Sequence, residues 1–171
     1  MSTAVIAFGS NLGNRAEIIG VARAALDAHP SIVVETMSPL HESVAIKPHG
    51  ADESAPAYLN AVARVRTDLS AEQLLEELMR IERESGRERH ERWGDRTLDL
   101  DIITYDDLTM NQRHLTLPHP RAAARLFVLE PWLDIEPGAN LGEQSIAQLA
   151  GDLGSAHPAA RTRSNHSGVI S

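Results

Sequence analysis

The chain has 171 residues, 42% of them hydrophobic, which supports one compact domain with a real core and excludes disorder throughout. Sixteen basic against 24 acidic residues give a formal net charge of −8, which excludes a general nucleic-acid or membrane-surface binder and confines any anion site to a local basic patch. There is no cysteine, hence no disulfide or thiolate metal site; no segment approaches bilayer-spanning length and no basic leader opens the chain, so the expected compartment is the cytoplasm.

Thr3 to Phe8 is a short apolar run that stops at Gly9-Ser10-Asn11-Leu12-Gly13-Asn14, a turn typical of a strand end. Asn14 suits a helix N-cap, and Ile18, Ile19, Val21, Ala22, Ala25 and Leu26 form the apolar stripe of a helix that Pro30 ends. Ile32 to Leu40 reads as a strand. His41 to Pro56, punctuated by Pro48, Gly50 and Pro56, reads as a long mobile loop. Tyr58 to Thr67 alternates Leu59, Ala61, Ala63 and Val65 against Asn60, Arg64 and Arg66, the pattern of a half-buried antiparallel strand. Ser70-Ala71-Glu72-Gln73 is a capping box opening a helix with Leu74, Leu75, Leu78 and Ile81 on its buried face, closed by Gly86.

An arginine-rich loop follows, then a strand from Leu98 to Tyr105, a polar link, Leu115 to Pro120, and a helix from Arg121 into Leu129. The order βαββαβ predicts an α+β fold: a ferredoxin-like antiparallel sheet with helices packed on one face, plus a helical C-terminal extension. Residues 1–150 form the single expected domain. Residues 151–171 lack apolar periodicity and are expected to be a flexible tail.

In the strand from Leu98 to Tyr105, alternation places Asp99 and Asp101 on one face and Leu98, Leu100 and Ile102 on the other. Two carboxylates this close repel unless a cation lies between them, and hard oxygen ligands on a rigid strand suit Mg²⁺ completed by water and phosphate. Spacing alone fits a solvated acidic edge equally well. The arginines upstream favour the metal. Arg80 and Arg83 read as a solvated face paired with nearby glutamates, whereas Arg87, Arg92 and Arg96 read as phosphate ligands, with Arg89 open between the two.

Trp93, set among charges and glycine, suits stacking on a planar ligand, with ordinary packing as the alternative. His119 stands between two prolines in Leu117-Pro118-His119-Pro120-Arg121, with Arg125 one turn further, an arrangement that suits phosphate contact. Tyr58 and Phe127 are two of only four Phe and Tyr residues and are candidate stacking surfaces or plain core. The chain has no P-loop, no Gly-x-Gly-x-x-Gly, no nucleophile elbow and no His-Glu-x-x-His. Phosphate chemistry on another scaffold is what these motifs leave.

Three segments, Ala7 to Arg15, Arg92 to Ile103 and Leu115 to Pro137, together with Tyr58-Leu59-Asn60, resemble the 6-hydroxymethyl-7,8-dihydropterin pyrophosphokinase family of folate biosynthesis. The shared motifs are Gly-Ser-Asn-Leu-Gly-Asn, Arg-Trp-Gly-x-Arg-Thr-Leu-Asp-Leu-Asp-Ile and Pro-His-Pro-Arg-x-x-x-Arg-x-Phe-Val-Leu-x-Pro, in the family's order, and the likeness covers most of residues 2 to 138. The resemblance implies an ATP-dependent diphosphokinase that moves the β,γ-diphosphoryl group of ATP to the pterin hydroxymethyl oxygen and releases AMP. It implies two Mg²⁺ ions on Asp99 and Asp101, with Arg87 and Arg96 as catalytic contacts to the phosphates and His119 and Arg125 opposite them. Arg89, Arg92, Glu82, Ile102 and Thr116 complete the implied nucleotide site. For the pterin it implies Asn60 at the ring edge, Tyr58 and Phe127 on the ring faces, Trp93 closing over them, and backbone groups from Ser43, Val44 and Ile46. The implied partners are ATP and a dihydropterin, with no nucleic acid or membrane, and the implied state is a monomer.

Four features depart from the family pattern. Asp95 stands where proline or a small residue is usual, Met79 replaces a frequent polar residue, His114 replaces a possible arginine, and Ser43-Val44-Ala45-Ile46-Lys47 lacks the usual prolines and glycine. The alternatives are a paralogue acting on a related pterin, a palm-type metal-dependent nucleotidyl transferase, which would release pyrophosphate, and a non-catalytic pterin- or nucleotide-binding module.

Overall fold

β1 (Ser2–Ser10) lies at the centre of an antiparallel sheet, paired on one side with β6 (Tyr58–Thr67) and on the other with β7 (Asp99–Tyr105). The computed structural model describes residues 1–11, 13–43, 45–47, 50–52, 57–85 and 98–165, with backbone alone for 45–47, 50–52 and 165. Beyond β6 the sheet forks. β2 (Ile32–Met37) pairs with one end of β6 and β3 (Leu40–Ser43) with the other. Between them Pro39 has no N–H for a ladder, while Ser38 exchanges hydrogen bonds with Val62 through its backbone N–H (2.9 Å) and its hydroxyl oxygen (3.0 Å).

Helix α1 (Arg15–Ala28) starts where expected, with the Asn14 side chain accepting from the Glu17 N–H. Its buried residues are Ile19, Ala22 and Leu26; Val21, two residues and about 200° round from Ile19, is 59% exposed and leaves the predicted stripe. Helix α2 (Ala71–Glu84) has the full capping box between Ser70 and Gln73, and Arg80 on its outer face pairs with Glu77 and Glu84, the solvated role expected for it. These helices cover the sheet face carrying Ala4, Ile6 and Phe8.

The other face is covered too, which corrects the one-sided arrangement. Val5, Ala7, Val62 and Ile103 pack under α3 (Leu126–Ile135) and α4 (Ile146–Ala156), with Trp132 fully buried among them. Two apolar sets of opposite parity on β1 require two covers. The helix expected from Arg121 is a 3-10 turn at Ala122–Ala124 followed by α3, which runs on through Pro131. Small ribbons fill the connections: β4 (Ala45–Lys47) with β5 (Gly50–Asp52), β8 (Met110–Asn111) with β9 (Thr116–Leu117), and β10 (Asn140–Leu141) with β11 (Gln144–Ser145).

Two expected irregular segments have regular structure. The span from His41 to Pro56 contains the end of β3 and the β4–β5 ribbon, because His41, Glu42 and Ser43 find partners on β6. Within 151–171, α4 continues to Ala156, and β12 (Arg163–Asn165) joins the outer edge of β3. Gly154 explains part of this: a Cβ there would lie 2.6 Å from the Arg161 guanidinium, which crosses the helix at that point. Residues 151–165 therefore carry regular structure where a tail is expected, while 166–171 lie outside the described residues.

Candidate active site

Strand register aligns the polar residues. Asn60, Gly9 and Asp99 lie side by side on β6, β1 and β7, and Val62, Ala7 and Asp101 form the next row. These side chains share the face that α3 and α4 cover further along. Where the helix cover ends, a cavity of about 250 Å³ opens over Ala7, Gly9, Asn60, Asp99 and Asp101, walled by Ser43, Tyr58, Arg125 and Phe127. Its floor is low because the central strand contributes glycine and alanine. A Cβ on Gly9 would lie 3.6 Å from Asn60 Oδ1, inside this space.

Asn60 is buried and its carboxamide is fixed. Nδ2 donates to Ser43 Oγ (2.8 Å) and to the His41 carbonyl (3.2 Å), so both amide hydrogens are committed to β3. Oδ1 remains to accept from a ligand. Tyr58 and Phe127 line the same cavity, and the Arg125 guanidinium lies over the Phe127 ring, 5.4 Å from its centroid. A flat ring with N–H donors on one edge fits these walls.

A second cavity, of about 450 Å³, adjoins the first and is lined by Asp99, Asp101, His119, Pro120, Arg121 and Arg125. The turn entering it has a cis Leu117–Pro118 bond, and the His119 N–H donates to the Ile103 carbonyl (2.8 Å), which ties the turn to β7. His119 Nδ1 accepts from the Arg121 N–H (3.2 Å), leaving Nε2 to face Asp101 Oδ1 at 4.0 Å. Burial holds the His119 pKa below its ordinary value; Asp101 opposes that shift, and Arg125 and Arg121 add to it. With Nδ1 accepting from the Arg121 N–H, the hydrogen of the neutral ring is on Nε2.

Asp99 and Asp101 are both partly exposed in this cavity, with 46% of the Asp101 side chain accessible. Among the described residues no group of three or more carboxylates and histidines is arranged as a metal cage. Two hard carboxylates on one strand face, opening on a cavity that also holds arginines, fit a cation that keeps water and phosphate oxygens in most of its coordination sphere.

Of the residues singled out in the sequence, Ser43, Tyr58, Asn60, Asp99, Asp101, His119, Arg125 and Phe127 line one or both cavities. Ile46 lies on β4 and Thr116 on β9, the ribbon leading into the His119 turn. Glu82 and Ile102 are not among the described residues that line these two cavities. Ile102 is buried in the opposite core with Leu98 and Leu100, and Glu82 accepts the Leu100 N–H (2.9 Å) from behind β7, away from both cavities' lining. Val44, Arg87, Arg89, Arg92, Trp93, Asp95 and Arg96 lie outside the described residues. Sequence reasoning passed over Ala7, Gly9 and His41 and left Arg121 without a role. A glycine in a strand otherwise rich in Val, Ile and Phe signals a close approach and could have pointed to Gly9.

The family model for 7,8-dihydro-6-hydroxymethylpterin-pyrophosphokinase (HPPK) matches residues 5–137. A 2-amino-4-hydroxy-6-hydroxymethyldihydropteridine pyrophosphokinase of Haemophilus influenzae is 43% identical over 155 residues, covering 88% of this chain and 94% of that protein. Its counterpart in Bacillus subtilis is 39% identical over 132 residues, 77% of each chain. A crystal structure of an HPPK-DHPS in complex with substrates superposes with a TM-score of 0.72 at 14% identity, covering 91% of this chain and 44% of that one, a likeness of fold. The matched region holds β1 from Val5 onward, Asn60, both aspartates, His119, Arg125 and Phe127, and the chain belongs to the 7,8-dihydro-6-hydroxymethylpterin-pyrophosphokinase family.

Proposed function

We propose that this protein transfers diphosphate from ATP to the hydroxymethyl group of 6-hydroxymethyl-7,8-dihydropterin, releasing AMP, in folate biosynthesis. The observation that carries this reading is that two cavities of different chemistry share Asp99, Asp101 and Arg125. One cavity has two aromatic side chains and a fixed amide; the other has carboxylates, a histidine and arginines. A bound pterin and a bound polyphosphate would meet at the shared residues. Among the β7–β1–β6 strands with β2 and β3 beyond, we read the order as the ferredoxin-like plan.

In this reading Asn60 Oδ1 accepts from the pterin ring edge, and Tyr58 and Phe127 hold the ring between them. That fixes the hydroxymethyl oxygen beside Asp99 and Asp101. Arg121, Arg125 and neutral His119, through Nε2–H, donate to phosphate oxygens from the far wall. The hydroxyl oxygen bonds to the β-phosphorus, the bond from that phosphorus to the bridging oxygen of AMP breaks, and the hydroxyl proton leaves to solvent. Asp99 and Asp101 would hold Mg²⁺, two ions in the fullest form of the proposal, and the metal when bound supplies positive charge to the phosphates. Catalysis then rests on alignment and charge neutralisation rather than on a covalent intermediate. The roles of Arg87 and Arg96 on the phosphates and of Trp93 over the pterin belong to the same proposal.

Incubation with ATP, Mg²⁺ and 6-hydroxymethyl-7,8-dihydropterin is expected to yield AMP and the pterin diphosphate, and omission of Mg²⁺ with a chelator present is expected to stop it. Release of pyrophosphate would overturn the reaction type. Turnover with a different pterin alone would keep the chemistry and replace the substrate.

A further inference from the structure

β3 separates the C-terminal strand from the substrate cavity and touches both. On its inner side the His41 carbonyl and the Ser43 hydroxyl hold the two amide hydrogens of Asn60. On its outer side β12 pairs residue for residue, with Ser164 opposite His41 and Arg163 opposite Glu42. The buried His41 ring adds a side-chain clamp to this pairing. Nε2 lies 2.5 Å from Asp134 Oδ2 and Nδ1 lies 2.7 Å from Thr162 Oγ1. The Thr162 hydroxyl in turn donates to Glu130 Oε1 (3.1 Å), and its backbone N–H donates to the same oxygen (2.7 Å). A hydroxyl has one hydrogen, so with that hydrogen on Glu130 the Thr162 oxygen is left to accept from His41 Nδ1.

The network therefore has three anchors: the C-terminal segment at Thr162, helix α3 at Glu130 and Asp134, and β3 at His41. Phe127, Glu130 and Asp134 fall at positions 0, 3 and 7 along α3 and so share one helix face. Whatever fixes Glu130 and Asp134 against β3 also fixes the rotation of the helix that presents Phe127. The His41 ring at the centre of this network is buried, whereas its partners are part-buried, with 38% of the Asp134 side chain accessible; a network anchored at a buried, paired centre favours one arrangement of its elements.

We propose that His41 is a positioning residue for the pterin cavity, and that Thr162, beyond the region matched by the family model, is a working part of that cavity's support. His41 holds β3 in the register that aims the Asn60 carboxamide, and Thr162 holds His41. This rests on the pyrophosphokinase reading above for its kinetic consequence, and on the hydrogen-bond geometry for its structural one.

Thr162→Val is nearly isosteric, removes the hydroxyl alone, and leaves both the β12 pairing and the Thr162 N–H bond to Glu130 in place. The loss of one or two part-buried hydrogen bonds predicts a rise in pterin KM of about 3- to 10-fold, with the KM for ATP unchanged. Thr162→Ser, which keeps the hydroxyl, is expected to restore the wild-type value. Independently of turnover, the Asn60 side-chain NH₂ signals in a ¹⁵N–¹H spectrum, identified by their disappearance in Asn60→Ala, are expected to shift in Thr162→Val and return in Thr162→Ser. If wild-type protein releases no AMP, the functional reading falls while the Asn60 signals still decide the network. Unmoved Asn60 signals, an unchanged pterin KM in active enzyme, or an equal rise in both KM values would overturn the proposal.

Discussion

The two faces of β7 differ as much as any two regions of this molecule, although they are one residue apart. Leu100 and Ile102, with Leu98 just before the strand, are 4%, 3% and 2% exposed and belong to the core under α1 and α2. Asp99 and Asp101, between them in sequence, face an open cavity. The buried face supplies rigidity that the open face needs: two like charges stay close only if the backbone cannot relax them apart. Strand alternation thus makes one side of a core strand a mount for two open carboxylates, with no insertion or loop.

The largest effect that separates the faces is expected on the open one. Asp101→Ala or Asp99→Ala should lower turnover by about a thousandfold or more, as loss of a metal ligand does, while the melting temperature stays unchanged or rises slightly because a like-charge pair is removed. Turnover within a few-fold of wild type in either variant would remove the metal-site proposal. On the buried face the pattern reverses. Leu100→Ala should cost about 2–5 kcal/mol of stability, measured by urea unfolding, with turnover per folded molecule changed far less.

This contrast was legible in the sequence because period-two alternation is local, and so were the capping box at Ser70 and the N-cap at Asn14. What stayed hidden depends on partners distant in the chain. Leu40-His41-Glu42-Ser43 has no apolar run to mark it as a strand, yet it is one, because β6 lies on one side and β12 on the other. Residues 151–165 look like a tail until Gly154 is seen to admit Arg161 and Thr162 to meet Glu130. The second sheet cover escaped for the same reason: Val5 and Ala7 could be seen to alternate with Ile6 and Phe8, but nothing nearby in sequence says that Trp132 and Ile146 lie over them.

Glu82 sharpens the comparison from behind. Among the described residues β7 pairs with β1 and with no second strand, so its outer N–H groups take partners from elsewhere, and Glu82 accepts that of Leu100. Family likeness implies a place for this residue in the nucleotide site, and its bond to Leu100 ties it to the strand that carries the aspartates. Glu82→Ala should leave a buried N–H without its acceptor, at a cost of about 1–3 kcal/mol in urea unfolding. A variant as stable as wild type would show that the bond to Leu100 contributes nothing.

Gly9 tests the open face with the smallest change. It stands between Asn60 and Asp99, where its neighbours in β1 have side chains, and it has no positive φ to demand glycine. An added methyl would meet Asn60 Oδ1 at 3.6 Å, ordinary van der Waals contact, so the backbone has no reason to move. Gly9→Ala should therefore fold with a stability within about 1 kcal/mol of wild type, and alanine's lower unfolded-state entropy favours a small gain. The same methyl occupies cavity space beside the one acceptor that Asn60 offers, so the pterin KM should rise several-fold while the KM for ATP holds. A pterin KM equal to that of wild type would mean that the ligand does not approach the floor at Gly9, and that the glycine serves the strand rather than the site.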